Sequence, residues 1–148
     1  MTWLYGLIAL AAFVATEGAA WLVHKYIMHG VLWSWHKSHH SPSHGIFERN
    51  DLFNVLFSIP AVGGMVIGLT YKEWYWLFWV GIGITLYGII YFIFHDIIVH
   101  RRIRFNFRPV HPYVRNIIRA HKVHHKSRAR EKGEAYGFLY SVKKYTAD

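Results

Sequence analysis

Residues Leu52 to Phe94 read LFNVLFSIPAVGGMVIGLTY, then KE, then WYWLFWVGIGITLYGIIYFIF, and this stretch decides the fold. The 20 residues from Leu52 to Tyr71 carry no charge, and after Lys72 and Glu73 the next 21, from Trp74 to Phe94, carry none either. At about 1.5 Å per residue each run makes a helix of roughly 30 Å, one bilayer core, so the pair reads as a tight transmembrane hairpin. Pro60, Gly63, Gly64 and Gly68 would weaken a soluble helix but are at home in membrane helices, and the Gly64/Gly68 spacing suits close helix contact. Upstream, Trp3 to Val23 is apolar apart from Thr16 and Glu17 and predicts a third span. Its first basic residue, Lys25, follows the apolar run, so it reads as a permanent anchor rather than a cleaved leader. The expected fold is an all-α integral membrane protein of one domain (1–148), with spans at about 3–23, 52–71 and 74–94 and a basic, histidine-rich helical cap over 95–148.

Composition agrees with this division. The 148 residues are 53% hydrophobic yet carry a net charge of +9, and the length allows one domain. Thirteen Lys and Arg against three acids lie from Arg101 onward, while Lys25, Lys37 and Arg49 lie between the first two spans. Only Lys72 sits in the hairpin turn. Cytoplasmic loops collect cations, so the N-terminus and Lys72 are expected outside and the basic tail inside. Tyr71, Trp74, Tyr75, Trp76 and Trp79 then form an outer aromatic belt, and Trp33 and Trp35 could do the same at the inner interface. The tail's charge reads as positive-inside bias with attraction to anionic headgroups, or as docking for an acidic protein, with nothing pointing to nucleic acid. Cysteine is absent, which excludes disulfides, thiolate ligands and a cysteine nucleophile; any metal must be held by N and O donors.

Histidine is the informative residue. Ten of the 12 fall into two patterns that each occur twice: HxxxxH at His24/His29 and His95/His100, and HxxHH at His36/His39/His40 and His121/His124/His125. On a helix, HxxHH puts its second and third rings about 60° to one side and 40° to the other of the first, so three imidazoles share a face. HxxxxH is less tidy, since i, i+5 separates two rings by about 140°; Gly30 could end the helix and let His29 swing inward. Ten imidazoles without a metal would repel one another on protonation and pack poorly. At four or five nitrogens per ion they suit two metals. Neutral ligands around dications call for carboxylates nearby, and Glu48, Asp51 and Asp96 are the candidates, with a helix start as the alternative for Asp51. Glu17, seven residues before His24, returns to the same helix face two turns deeper and is a functional candidate within the membrane.

These residues resemble a known family. His24-Lys-Tyr-Ile-Met-His29-Gly30, Trp35-His36-Lys-Ser-His39-His40, Phe47-Glu48-Arg-Asn50-Asp51-Leu52, Phe94-His95-Asp96-Ile-Ile-Val-His100, Ala120-His121-Lys-Val-His124-His125 and Gly137-Phe-Leu-Tyr140 look like the bacterial β-carotene 3-hydroxylases of the membrane fatty acid hydroxylase and sterol desaturase superfamily. The resemblance implies a non-haem di-iron monooxygenase in the bacterial inner membrane, with its site on the cytoplasmic face. It would use O₂ and electrons from ferredoxin and its reductase to convert β-carotene through β-cryptoxanthin to zeaxanthin. All ten motif histidines carry over as ligands, with Asn50 beside Glu48, Asp51, Asp96 and Glu17 as supporting candidates. His44 and His111 stand outside the motifs. Phe47, Phe53, Phe57, Tyr91 and Phe94 are candidate walls of a lipid-facing substrate groove. The alternatives are a related hydroxylase, desaturase or ketolase acting on another carotenoid, sterol or acyl chain, and, outside the enzymes, a membrane metal-handling protein. A haem cytochrome is disfavoured, because its axial histidines would face one another across spans.

Overall fold

A computed structural model describes residues 2–41, 47–103, 106–131, 133–140 and 145. The described residues form helices and turns. α1 (Thr2–Leu22) runs on into a π-helical segment, Val23–Val31. α2 (Trp33–His36) continues as a 3₁₀ turn, Lys37–His40. A 3₁₀ turn at Arg49–Asp51 opens α3 (Leu52–Thr70), and another at Lys72–Trp74 makes the hairpin bend into α4 (Trp76–Tyr91). α4 continues as a second π-helical segment, Phe92–Val99, and α5 (Pro112–Lys126) follows a non-helical stretch.

Among the described residues, three helices are long and apolar enough to cross a membrane: Trp3–Val31, Arg49–Thr70 and Trp76–Val99. Their surfaces are inside-out by the standards of a soluble protein. Leu7, Leu10, Val14, Ile59, Val66 and Leu69 face outward, while His36, His95, His124 and Asp96 are among the most buried side chains. Such a distribution is stable only when hydrocarbon surrounds the helices. The second span and the start of the third lie close to where the hydropathy places them. The first and third run on to Val31 and Val99, because the π-helical segments carry the histidines past the apolar run.

α4 packs between α1 and α3, and glycine makes both contacts possible. A Cβ on Gly81 would lie 2.5 Å from the Ala61 carbonyl oxygen, one on Gly68 2.5 Å from the Phe78 nitrogen, and one on Gly64 3.0 Å from the Leu77 carbonyl oxygen. Gly83 does the same for α1, against the Ala9 carbonyl oxygen and Ala12. Backbones in van der Waals contact replace the hydrophobic driving force that lipid does not supply. Because α4 occupies the middle, α1 and α3 stand apart and leave a groove between them. At the hairpin end, Tyr5 stacks on Trp79 at 5.8 Å and meets Tyr75 edge-on at 5.2 Å, within the aromatic cluster that the sequence marks. Trp33 packs on His29 at 5.1 Å and His40 at 5.4 Å.

Candidate metal centre

His24, His29 and His95 lie in the π-helical segments and His100 caps the second of them, which resolves the angular problem their spacing poses. In π geometry the backbone bonds run i to i+5, so residues five apart come to one face. The His100 amide donates to the His95 carbonyl at 2.9 Å, and the His24/His29 and His95/His100 ring centroids lie 5.3 and 4.5 Å apart. Widening of the helix, more than the break at Gly30 (φ −109°, ψ −119°), turns His29 inward.

The ten motif histidines gather into two groups. Ring nitrogens of His24, His29, His36 and His124 lie within 4.8 Å of one another, as do those of His39, His95, His100 and His121. His40 joins the first group through its Nε2, 3.1 Å from that of His36, and His125 joins the second, 2.8 Å from His121 Nε2. Each group thus takes one HxxxxH pair, the outer two histidines of one HxxHH motif, and one histidine from the other HxxHH motif. The three rings of an HxxHH motif share a face, as the spacing predicts, but that face serves two sites. His39 and His124 are the exchanged members, and stacking of His40 on His125 at 4.8 Å holds the groups side by side.

Protonation decides what these groups can do. Burial pushes His124 and His36 down to about 2 and His40 to about 4, and it pushes His39 and His121 well below the ordinary imidazole value; His125 falls to about 2 and His100 to about 4 for the same reason. A neutral imidazole has one N–H. In the first group that hydrogen is already committed. His24, His29, His40 and His124 donate from Nδ1 to the carbonyl oxygens of Tyr136 (2.9 Å), Arg130 (3.0 Å), Ser127 (2.9 Å) and Glu134 (2.8 Å). Their Nε2 atoms therefore carry bare lone pairs, and those of His29 and His124 face each other at 3.2 Å with no hydrogen between them. Two lone pairs at that distance repel unless a cation lies among them. Ten neutral nitrogen donors in two such nests fit a pair of transition-metal ions, with the Nδ1 acceptors fixing the tautomers.

The fatty acid hydroxylase family profile matches residues 9–143. The chain belongs to that family. A di-iron mechanism is typical of it. Among curated relatives, the β-carotene hydroxylase of Pseudescherichia vulneris is 44% identical over 137 residues, covering 93% of this chain and 77% of its own. That of Pantoea ananas is 42% identical, covering 95% and 80%. The chloroplastic β-carotene 3-hydroxylase 2 of Arabidopsis thaliana is 35% identical, covering 95% of this chain and 47% of the plant protein. No solved structure matches significantly.

Of the supporting residues named from the sequence, two touch motif histidines. Asn50 Oδ1 accepts from His36 Nδ1 at 2.7 Å and Glu48 Oε2 from His39 Nδ1 at 3.3 Å. Asp96, 2% exposed, faces His95 Nδ1 at 3.5 Å, too long for a formed bond. Asp51 touches no histidine. It receives the Glu48 amide at 2.9 Å as part of a capping box at the head of α3, and it takes both arms of the Arg102 guanidinium at 3.0 and 2.8 Å. Arg102, which the sequence reading passes over, also meets Asp96 through Nε at 2.9 Å and lies 3.8 Å from Glu48. The second group is therefore backed by carboxylates under one arginine, the first mostly by backbone carbonyls.

Glu17 and His24 do share a face, but Glu17 does not reach the histidines. Its Oε1 accepts from the amides of Phe138 (2.8 Å), Leu139 (2.8 Å) and Tyr140 (3.1 Å), and its Oε2 from the Tyr87 hydroxyl at 2.7 Å. One helix face thus grips the segment 136–140 twice, by the Tyr136 carbonyl at His24 and by three amides at Glu17. That segment closes the site: Tyr136 packs on His24, His29 and His124, and Phe138 on Tyr91, His95 and His121. His111 is exposed and accepts from the Tyr113 amide at 3.3 Å at the start of α5; His44 lies outside the described residues.

A cavity of about 510 Å³ fills the groove between α1 and α3 and ends at His24, Asn50 and His121. Thr16, Ser58 and Thr85 line it, but their hydroxyls donate to their own helix backbones, so the wall is apolar apart from Asn54. Phe53, Phe57 and Tyr91 belong to the lining, as expected; Phe94 does not, and Phe47 is 86% exposed.

Proposed function

We propose that this chain hydroxylates C3 of the β-ionone rings of β-carotene, giving β-cryptoxanthin and then zeaxanthin, at two non-haem iron ions. The observation that carries the reading is the pair of bare Nε2 atoms of His29 and His124 facing at 3.2 Å inside a nest of imidazoles. His24, His29, His36, His40 and His124 would hold one ion, and His39, His95, His100, His121 and His125 the other. Bound iron supplies the activation of O₂ that no side chain offers. The relatives' names support a carotenoid, and a largely apolar groove suits a long hydrocarbon with no polar group to satisfy.

The chain's own residues do the rest. α1, α3 and α4 guide the polyene, with Phe53, Phe57 and Tyr91 against its sides, and the groove leads one ring to the histidines. Phe138 and Tyr136 close the site and keep water from the reacting carbon. The net reaction breaks one C–H bond and forms one C–O bond. The second oxygen atom of O₂ leaves as water, taking two protons and two electrons from a one-electron carrier such as reduced ferredoxin, itself recharged by a reductase. The histidine end also carries the excess of Lys and Arg, which supports placing it on the cytoplasmic side of a bacterial inner membrane. A metal conduit would need ligands along the spans, and the deep acid Glu17 is already occupied by three amides and a phenol.

Expression in a β-carotene-accumulating bacterium tests the reading. Zeaxanthin is expected from the natural chain and none from His39→Ala or His124→Ala. Unchanged β-carotene from the natural chain would refute it, and a product two hydrogens poorer than the alcohol would indicate a ketolase.

A further inference from the structure

α5 carries chemistry on one side only. His121, His124 and His125 face the two histidine groups, while Arg115, Arg119, Lys122 and Lys126 are exposed. At 100° per residue those four cations fall within about 60° of one another, opposite His124, in a stripe about 16 Å long. The inner and outer faces of a helix are separated by about 10 Å. α5 thus joins four exposed cations on one side to histidines of both groups on the other. The stripe also borders a hollow of about 630 Å³ floored by Pro109, Ile118 and Val123, with Glu134 on its rim as the one acid among the described residues.

We propose that this outer face of α5 is the docking surface for an acidic, one-electron-carrying protein that reduces the metal centre. The inference rests on the hydroxylase reading, which needs two electrons per turnover that the chain has no group of its own to store. Charge sets the class of partner: a row of cations steers an acidic surface and speeds its encounter. Shape separates it from a membrane contact, since a concave hollow receives a convex protein surface and leaves a void against a plane of headgroups. Position supplies the purpose, because a carrier seated there is one helix away from ligands of both ions.

The test uses the full chain, iron-loaded, in nanodiscs of zwitterionic phospholipid, with a reduced acidic [2Fe–2S] ferredoxin as the probe. The triple variant Arg115→Glu/Arg119→Glu/Lys122→Glu is compared with the natural chain for ferredoxin affinity and its dependence on salt. It is compared as well for the ratio of ferredoxin-driven to dithionite-driven hydroxylation. We expect affinity to fall at least tenfold at low salt, the salt dependence to flatten, and the ratio to fall by a similar factor. The double variant Arg115→Lys/Arg119→Lys should retain binding, since the steering needs charge and not a guanidinium. Unchanged affinity, or equal loss under both reductants, overturns the proposal. So does a defect seen only in discs containing anionic phospholipid, which would make the stripe a headgroup contact. Affinity is read without turnover, so a natural chain that binds ferredoxin but yields no alcohol under either reductant sinks the hydroxylase reading and leaves the docking surface standing.

Discussion

Arg102→Met removes a cation that three carboxylates share. In the natural chain the guanidinium makes a two-armed contact with Asp51 at 3.0 and 2.8 Å and a further one with Asp96 at 2.9 Å. Asp96 is 2% exposed, and Arg102 and Asp51 are about one-fifth exposed. Removing one partner of a buried pair costs about 3–5 kcal/mol, because the other charge stays behind. The partly exposed Asp51 contact is screened, which argues for the lower end, about 3 kcal/mol. For a chain of this length that corresponds to a fall in melting temperature of roughly 6–12 °C. The damage should be local to the second histidine group, since Glu48 holds His39 and Asp96 faces His95. We therefore expect Arg102→Met, purified in detergent, to melt earlier and to retain less than its full iron, with the first group still loaded. Arg102→Lys should fall between the two, keeping charge and losing the fork. A double-mutant cycle with Asp51→Asn should give a coupling of about 1 kcal/mol or more. A melting curve and iron content equal to those of the natural chain would refute the reasoning.

Three other substitutions follow. Gly68→Ala places a Cβ 2.5 Å from the Phe78 nitrogen, whereas Gly63→Ala on the same helix meets nothing within 4 Å, so only the first should lower folded yield, by about 1–3 kcal/mol in a detergent melt. Asn50→Leu strips the Nδ1 partner from His36 and should weaken iron retention about 10–100-fold in a chelator competition, while Asn50→Asp should preserve most of it. Glu17→Ala leaves three amides and the Tyr87 hydroxyl without their acceptor; faster proteolysis within 133–140 and loss of product are expected, and a cleavage pattern like that of the natural chain would contradict the role given to this carboxylate.

The spans were legible because apolar length is a direct physical signal in a membrane, and the doubled histidine patterns were legible because no solvated or packed alternative suits ten imidazoles. What the spacing could not show was how the motifs divide. HxxHH predicts one shared face, and only the fold reveals that His39 and His124 cross over to the opposite group. The i, i+5 pairs looked awkward because a regular helix was assumed, whereas a π-helical turn makes that spacing the natural one. Glu17 was placed on the face of His24, but its partners could not be read, since backbone amides of residues 138–140, 121 or more positions away, leave no trace in residue type. Arg102 was hidden in a run of cations that orientation already explained. The carbonyl acceptors at Arg130, Glu134 and Tyr136 were invisible for the same reason as the amides.

The metal content of purified protein tests the account most directly. Ten histidines in two nests of bare nitrogens predict two irons per chain, lost together with the hydroxylated product when a strong chelator removes them and regained with Fe(II). A single zinc per chain, or full hydroxylating activity without iron, would contradict it.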